Sequence, residues 1–449
     1  MELLIVIVII GILAAIVIVA YNGIAQRAHA TAIQSDLSNG ASALGISQAT
    51  DGKYPANGSD ANGGQGLKAS PGNSFIYNPS GDGTAYCLQA SGYGMSYFIT
   101  SDNTTPQGGV CNGTSGLAGD PSNPPHLPMV STLAGSGTAG SADGTGSAAQ
   151  LNNPAGVAID SSGTVYVADW GDYRIRKITS AGVVTTLAGS GTVGFADGTG
   201  SAAQFNNPVS VAVDSSGTVY VGDYYNNRVR KITSAGVVTT LAGSGVAGSA
   251  DGTGSAAQFN YPYGVAVDSS GTVYVADSFG NRIRKITSAG VVTTLAGSGT
   301  AGFADGTGSA AQFNYPNGVA VDSSGTVYVA DAGNNRIRKI TPSGVVTTLA
   351  GSGVAGFADG TGTAAQFDGS RGVAVDSSGT VYVSDLNNQR IRKITPSGVV
   401  TTLAGSGTTG FADGTGSTAQ FNSPNGVAVD SSGTVYVADY GNNRVRVIK

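Results

Sequence analysis

Residues 157–167 read VAIDSSGTVYV, and the phrase returns five more times with only its third residue alternating between Ile and Val. Its aspartate falls at Asp160, Asp214, Asp268, Asp322, Asp376 and Asp430, always 54 residues apart. The arginine opening the next segment keeps the same period, at Arg174, Arg228, Arg282, Arg336, Arg390 and Arg444, as does the leucine of T-L-A-G from Leu133 to Leu403. Six units therefore occupy residues 126–449. A fixed period of this length marks a repeat architecture, so the fold follows from reading one unit.

In the first unit the apolar, β-branched runs are Gly156–Ile159, Thr164–Ala168, Arg174–Thr179 and Val183–Ala188. Ser-Ser-Gly, Gly-Asp-Tyr and Ser-Ala-Gly separate them and carry turn chemistry. Four short strands per repeat is the content of a propeller blade, and radial closure leaves only short, protected edges. A solenoid would need capping ends of different composition. Here the ends complement each other: the sixth unit stops after its third strand, and Met129–Ala134 is a spare fourth. The expected fold is an all-β six-bladed β-propeller with four-stranded blades over 129–449, closed by that pairing. Through NPxGVAVD, TVYVAD and NRIRKI the repeat resembles the NHL family of propellers, and the insert FADGTGSAAQFN resembles a subgroup of it. The DGTG run leaves two readings for Asp197 and its equivalents: a calcium ligand, or a cap, with Ser, for a short helix SAAQF whose Phe or Leu packs inward. Arg174 faces Asp169 across a hairpin, and this pairing repeats as architecture.

Composition removes whole classes of chemistry. The 449 residues include 71 Gly but only 2 His, and Glu occurs once, at Glu2. Multi-His metal sites and Glu-based acid–base pairs are excluded. Residues 1–125 carry a net charge of −4 and residues 126–449 a net −1. Neither part has the basic excess that phosphate neutralisation requires, so no nucleic acid partner is expected. No metal and no cofactor is expected either.

The N-terminal quarter is a different object. Leu3 to Tyr21 form nineteen uncharged, mostly apolar residues, close to the roughly 20 that span a bilayer as a helix. The run is longer than a signal-peptide core and has no basic residue before it. Ile24, Ile33, Leu37 and Leu44 continue near helical spacing, so one helix is expected over residues 1–50. A β head follows at 51–115, with runs Phe75–Asn78, Thr84–Gln89 and Met95–Thr100. Cys87 and Cys111 are the chain's two cysteines, and after an exported anchor they read as a disulfide. Residues 116–128 form a Pro/Gly-rich linker.

ELLIVIVIIGILAAIVIVAYNGI resembles the N-terminal helix of type IV pilins and pseudopilins, and the resemblance extends to about residue 115. It implies an α+β pilin-like part in which Glu2 pairs with the N-terminal amine of a neighbouring subunit during assembly. It further implies partners: other copies of the chain through helix packing in a filament, the pilus assembly machinery, and the inner membrane before assembly. The family's basic leader, glycine and phenylalanine do not precede Glu2 in this sequence.

The blades differ from one another mainly in two connections. Strand order places the second-to-third turns and the entries to the first strands on one face of the disc. Trp170, Tyr173, Tyr224, Tyr225, Phe279 and Tyr440 lie in the first set, and Tyr261, Tyr263, Tyr315, Asn317, Asp368, Arg371 and Asn425 in the second. Aromatic rings with polar tips and amide donors suit glycan or protein recognition. The expectation is a non-enzymatic structural subunit of a pilus-like extracellular filament at the cell surface, displaying the propeller for adhesion or ligand binding. The alternatives are a minor pilin or pseudopilin of a secretion or DNA-uptake system, or a membrane-tethered propeller enzyme or sensor. A lactonase or amidating lyase would need His or Glu in the channel, and residues 127–449 contain neither.

Overall fold

The computed structural model describes residues 128–449 in full and, as backbone only, four strands ahead of them. Those four, Asn73–Pro79, Tyr86–Gly92, Met95–Thr100 and Gln107–Gly108, form an antiparallel sheet in sequential order. The two-residue last strand was not expected from sequence. The helix over 1–50, Glu2, the Cys87–Cys111 pairing and the linker up to residue 127 lie outside the described residues. Among the described residues no helix is long and apolar enough to cross a membrane.

Residues 128–449 form six antiparallel sheets, the blades of a propeller. In blade 1 the innermost strand is Pro154–Ile159, followed outward by Val165–Asp169, Arg174–Ile178 and Val183–Ala188. The first hairpin turn is held by its own side chains. The Asp160 carboxylate accepts hydrogen bonds from Ser162 N–H at 2.9 Å, Ser162 Oγ at 2.6 Å, Thr164 N–H at 3.0 Å and Tyr166 Oη at 3.1 Å. Gly163 takes φ +81° in that turn, which explains why DSSG is invariant across the blades.

Each sheet has five strands, not the four expected. The fifth is Gly144–Thr145 from the insert, which folds back onto the outer strand Val183–Ala188. Two residues rich in turn-forming neighbours carry no β pattern, so sequence reading took them for loop. The insert also departs from the expected capped helix. It makes a three-residue 3-10 turn, Gly146–Ala148, without a side-chain cap.

Closure is as read from the ends. Met129–Ala134 pairs with the third strand of blade 6, Arg444–Ile448, in the register Ile448↔Val130 and Val445↔Ala134. The hydrophobic core lies between successive blades. Phe205 is wholly buried against Tyr166, Ile175 and Ala188 of blade 1 and Val219, Val221 and Ile232 of blade 2. Phe259, Phe313, Phe367 and Phe421 fill the same slot in other blades, and Leu151 fills it between blades 6 and 1.

A buried charge is repeated six times. Arg176 and its equivalents are fully buried. Each is paired with a buried aspartate at the end of the second strand and a half-exposed one in the insert, as in Arg176 with Asp169 at 3.0 Å and Asp143 at 2.7 Å. The expected Asp169–Arg174 pair is therefore corrected. Arg174 stands opposite Asp169 in register but donates to the Ser190 carbonyl at 3.2 Å, and the wholly buried Arg176 takes the counter-charge its burial demands. Asp197, considered above as calcium ligand or cap, likewise holds Arg230 at 2.6 Å and accepts from Thr240 Oγ1 at 3.2 Å.

Four blades add a support that two lack. Asn226 Nδ2 donates to Asp223 Oδ2 at 2.9 Å and to the Gly194 carbonyl at 2.8 Å, and Asn334, Asn388 and Asn442 act alike. Blade 1 has Asp172 there and blade 3 Gly280, and in both the buried ion pair lengthens to 3.0 Å from 2.7 Å elsewhere. Asp172 Oδ2 has no hydrogen-bond partner. Asp172→Asn is expected to supply the missing donor, remove a like charge beside Asp169, and stabilise the propeller by about 1–2 kcal/mol. Calorimetry would show this as a melting temperature a few degrees higher, and a lower value would contradict it.

The carboxyls titrate in two opposed sets. Partial burial works to raise Asp160, but the hydrogen bonds from Ser162, Thr164 and Tyr166 outweigh it and hold the carboxyl below its ordinary value. The same applies to the other five turns. Burial pushes Asp169 up to about 7 and Asp277 to about 6, beyond what the amide N–H and arginine beside each offset. Depressed carboxyls stabilise the fold above the unfolded value of about 4, and that contribution is lost as pH falls through the folded one. Raised carboxyls bind protons in the folded state, so stability declines as pH rises from about 4 toward 7. The melting temperature is expected to peak in mildly acidic buffer and fall on both sides. A profile that is flat from about pH 5 to 8 would contradict the second set.

Candidate functional site

The innermost strands converge on a channel whose waist is closed by backbone. A Cβ built on Gly156 would lie 2.6 Å from Ser210 Cα, and one on Gly426 would lie 2.6 Å from the Ala155 carbonyl oxygen. Glycine is what lets the strands approach so closely. On the DSSGT side the channel is an apolar funnel of about 210 Å³ lined by the Val-Ala-Val or Val-Ala-Ile ends of the inner strands. On the other side it opens into a pocket of about 350 Å³.

That pocket lies on the face expected from strand order. Trp170, Tyr224, Tyr225, Tyr263 and Tyr440 form its aromatic wall, and Arg371, Leu386, Ser423 and Asn425 stand beside them. Tyr263 is nearly buried, and its hydroxyl donates to Asn425 Oδ1 at 3.0 Å, joining blade 3 to blade 6 across the mouth. Burial first, then the neighbouring phenols, pushes Tyr224 up to about 12, so its hydroxyl is a neutral donor at physiological pH.

Outside the pocket the rings continue as a ridge. Tyr224 meets Tyr225 at 4.9 Å and Tyr261 at 5.0 Å between centroids, Tyr261 meets Phe279 at 4.9 Å, and Phe279 meets Tyr315 at 4.9 Å. Tyr225, Phe279 and Tyr315 are each close to half exposed. Trp170 and Tyr440 stand 6.1 Å apart at the other end of the arc. Blades 6, 1, 2, 3 and 4 thus supply rings, and blade 5 supplies Leu386 and Arg371 instead. Of the thirteen residues placed on this face from sequence, Trp170, Tyr224, Tyr225, Tyr263, Arg371, Asn425 and Tyr440 line the pocket and Tyr261, Phe279 and Tyr315 form the ridge; Asn317 accepts from Ser278 and Asp368 from Asn387. Tyr173 makes no ring contact among the described residues and sits at a left-handed corner with φ +55°.

Sequence reading overlooked Ala155 and Val209, which floor the pocket. Both occupy the x of NPxG, the position that reads Ala155, Val209, Tyr263, Asn317, Arg371 and Asn425 around the ring. Five residue types at one position of otherwise near-identical repeats was the signal that could have found them.

Two of the ridge tyrosines adopt a backbone conformation that bulky side chains avoid. Tyr261 has φ +57° and Tyr315 φ +48°, at the position where blades 1 and 2 carry Asn153 and Asn207. Asparagine tolerates this region, whereas a tyrosine there carries strain of roughly 1 kcal/mol or more. Each is fixed by a bond to the preceding blade, such as Tyr315 N–H to Asn281 Oδ1 at 3.0 Å.

The fold and the site define a six-bladed β-propeller with an aromatic mouth on one face. Residues 205–232, 313–340, 367–394 and 421–448 match the NHL repeat, and residues 131–196 and 247–305 match the teneurin NHL domain; the chain carries NHL repeats. The protein SUPPRESSOR OF QUENCHING 1 of Arabidopsis thaliana is 30% identical over 58% of this chain and 27% of its own length. Mouse teneurin-4 is 27% identical over 72% of this chain and 13% of its own. The chain thus spans about an eighth of the length of teneurin-4 and just over a quarter of the plant protein. A Bacteroides thetaiotaomicron protein of unknown function has the same fold, with a TM-score of 0.57 at 21% identity over 79% of this chain and 82% of that one.

Replacing Tyr315 by Asn is expected to raise the melting temperature, by about 1 kcal/mol of relieved backbone strain, while removing an exposed ring from the ridge. A calorimetric scan that finds Tyr315→Asn less stable than the parent would refute the strain assignment.

Proposed function

We propose that this chain is a non-enzymatic display protein whose propeller binds a glycan or protein ligand at its aromatic mouth, held out from a pilus-like filament by the N-terminal helix. The observation that carries the binding half is the arc of rings around one channel mouth, two of them kept at strained backbone positions that asparagine fills in other blades. Backbone strain held at a surface ridge is what a binding function retains against stability. The half-exposed rings Tyr225, Phe279 and Tyr315, gathered beside one channel mouth, support the same reading. The mouth offers phenols, amides and one guanidinium, groups that bind and orient.

The display half rests on the pilin-like sequence Glu2–Ile24 and on the Pro/Gly-rich run that follows the head. A filament built by packing such helices would leave each propeller outside, joined by a linker long enough to project it. Among the described residues no group of three or more His, Cys, Asp or Glu side chains is placed to hold a metal.

Electron cryo-microscopy of sheared surface material tests the filament. Helical filaments with ordered N-terminal helices at the centre and propellers outside are the expected result, and a chain found only as a detergent-soluble membrane monomer would reject it. A glycan array probed with the full chain and with Phe279→Ala and Tyr315→Ala tests the face. Binding weakened about tenfold or more in both variants is expected, in line with the loss of a hot-spot ring; binding unchanged in both would move the ligand site elsewhere.

A further inference from the structure

The mouth contains a charge that the architecture does not use. Basic residues in 126–449 follow the third strands: Arg-x-Arg-Lys in blades 1 to 5, and Arg444, Arg446 and Lys449 in blade 6. Arg371 is the one basic residue of that span outside the pattern. It stands where NPxG is rewritten as Gly369-Ser370-Arg371-Gly372, and its guanidinium lies over the Tyr263 ring at 5.5 Å. Among the described residues it forms no ion pair within 4.0 Å; the twelve ion pairs there are all those of the six buried arginines. Asp368, three residues earlier, is instead held by Asn387 Nδ2 at 2.9 Å. No carboxylate lines the pocket.

A partly buried cation without a counter-ion, in a pocket of about 350 Å³, leaves the anion to be supplied by the ligand. The rest of the wall defines what carries it. Tilted and edge-on rings present apolar surface in separate planes, not a parallel slot for a flat aromatic. Between them Tyr224, Tyr440, Ser423 and Asn425 place hydroxyl and amide groups, which match a ring bearing many hydroxyls with an apolar C–H face. The volume falls at the lower end of the usual range of about 300–1,000 Å³ for small-ligand sites.

Resting on the reading of this mouth as a ligand site, we propose that it binds a carboxylated sugar, a uronate residue of an acidic glycan, with its carboxylate on Arg371 and its ring against Tyr224, Trp170 and Tyr440. The planar guanidinium fork and a carboxylate form paired hydrogen bonds, which makes Arg371 the residue that sets specificity.

Full methyl esterification of trigalacturonate turns each carboxylate into a neutral ester while keeping the sugar rings and hydroxyls, and calorimetric titration of the full chain in detergent compares the two. The parent is expected to bind the acid about tenfold or more tightly than the ester, with the preference shrinking at high salt because the site opens to solvent. Arg371→Gln abolishes the preference, Arg371→Lys keeps part of it, and Tyr224→Ala weakens both sugars; melting curves establish that each variant is folded. Equal affinity of the parent for acid and ester, a preference that survives Arg371→Gln, or no binding of either sugar overturns the proposal. Equal affinities that both fall in Tyr224→Ala would overturn it while leaving the aromatic mouth as a glycan site. Loss of binding to every array glycan as well would remove that broader reading too.

Discussion

The propeller depends on one buried cation repeated six times. A guanidinium with no exposure, left unpaired, would cost several kcal/mol, so every segment around Arg176 is arranged to meet it. Asp169 closes on it from the second strand, Asp143 from the insert, and the Gln150 and Ala142 carbonyls accept from Nη1 at 3.1 Å and Nη2 at 3.4 Å. One side chain thereby ties together the end of the second strand, the fold-back of the insert, and the entry to the first strand. In blades 2 to 6 the equivalent guanidinium also lies beside the inter-blade phenylalanine, Arg230 standing 5.2 Å from the Phe205 ring centroid, so the ionic and apolar cores meet at the same point.

This arrangement explains why the fifth strand exists. The Asp143 carboxylate can reach Arg176 only if the insert turns back along the outer strand, and Gly144–Thr145 then falls into register with Val183 and Val184. A two-residue strand is too short to stabilise itself and is positioned by the ion pair next to it. The carboxylates of the repeat are accounted for in this way: two for each buried arginine and one for each DSSGT turn. Asp172 and Asp368 are the acidic residues of 126–449 left over, and each sits on the variable face.

The period, the four main strands of each blade, the turn chemistry and the closure by Met129–Ala134 were legible because they rest on local alternation and on turn residues with fixed backbone requirements. The partner of Asp169 was not, because register alone favours Arg174. Which of two arginines on the same strand face is buried depends on the neighbouring blade, and no local pattern encodes that. The aromatic face was legible from topology, since strand order alone sorts the connections between the two faces. Its division into a pocket and an outer ridge was not, because Ala155 and Val209 look like ordinary strand residues until six copies of their position are set in a ring.

Symmetry makes that ring informative. Six identical blades can present a ligand only with six copies of one group around an axis, whereas a single sugar or peptide has no such symmetry. An asymmetric site must therefore come from departures between repeats, and those are tolerated only where the backbone and the buried ion pairs do not depend on the side chain. The x of NPxG is such a position: in five blades its residue lines the mouth, while the following glycine, serine in blade 2, closes the waist and the preceding proline, serine in blade 5, opens the strand. Blades 6, 1, 2, 3 and 4 place rings at or near the mouth; blade 5, which loses the proline and gains Gly369 at φ +66°, places the charge. The gap in the aromatic arc and the unpaired guanidinium are thus one feature, produced by the single blade whose entry lacks the proline.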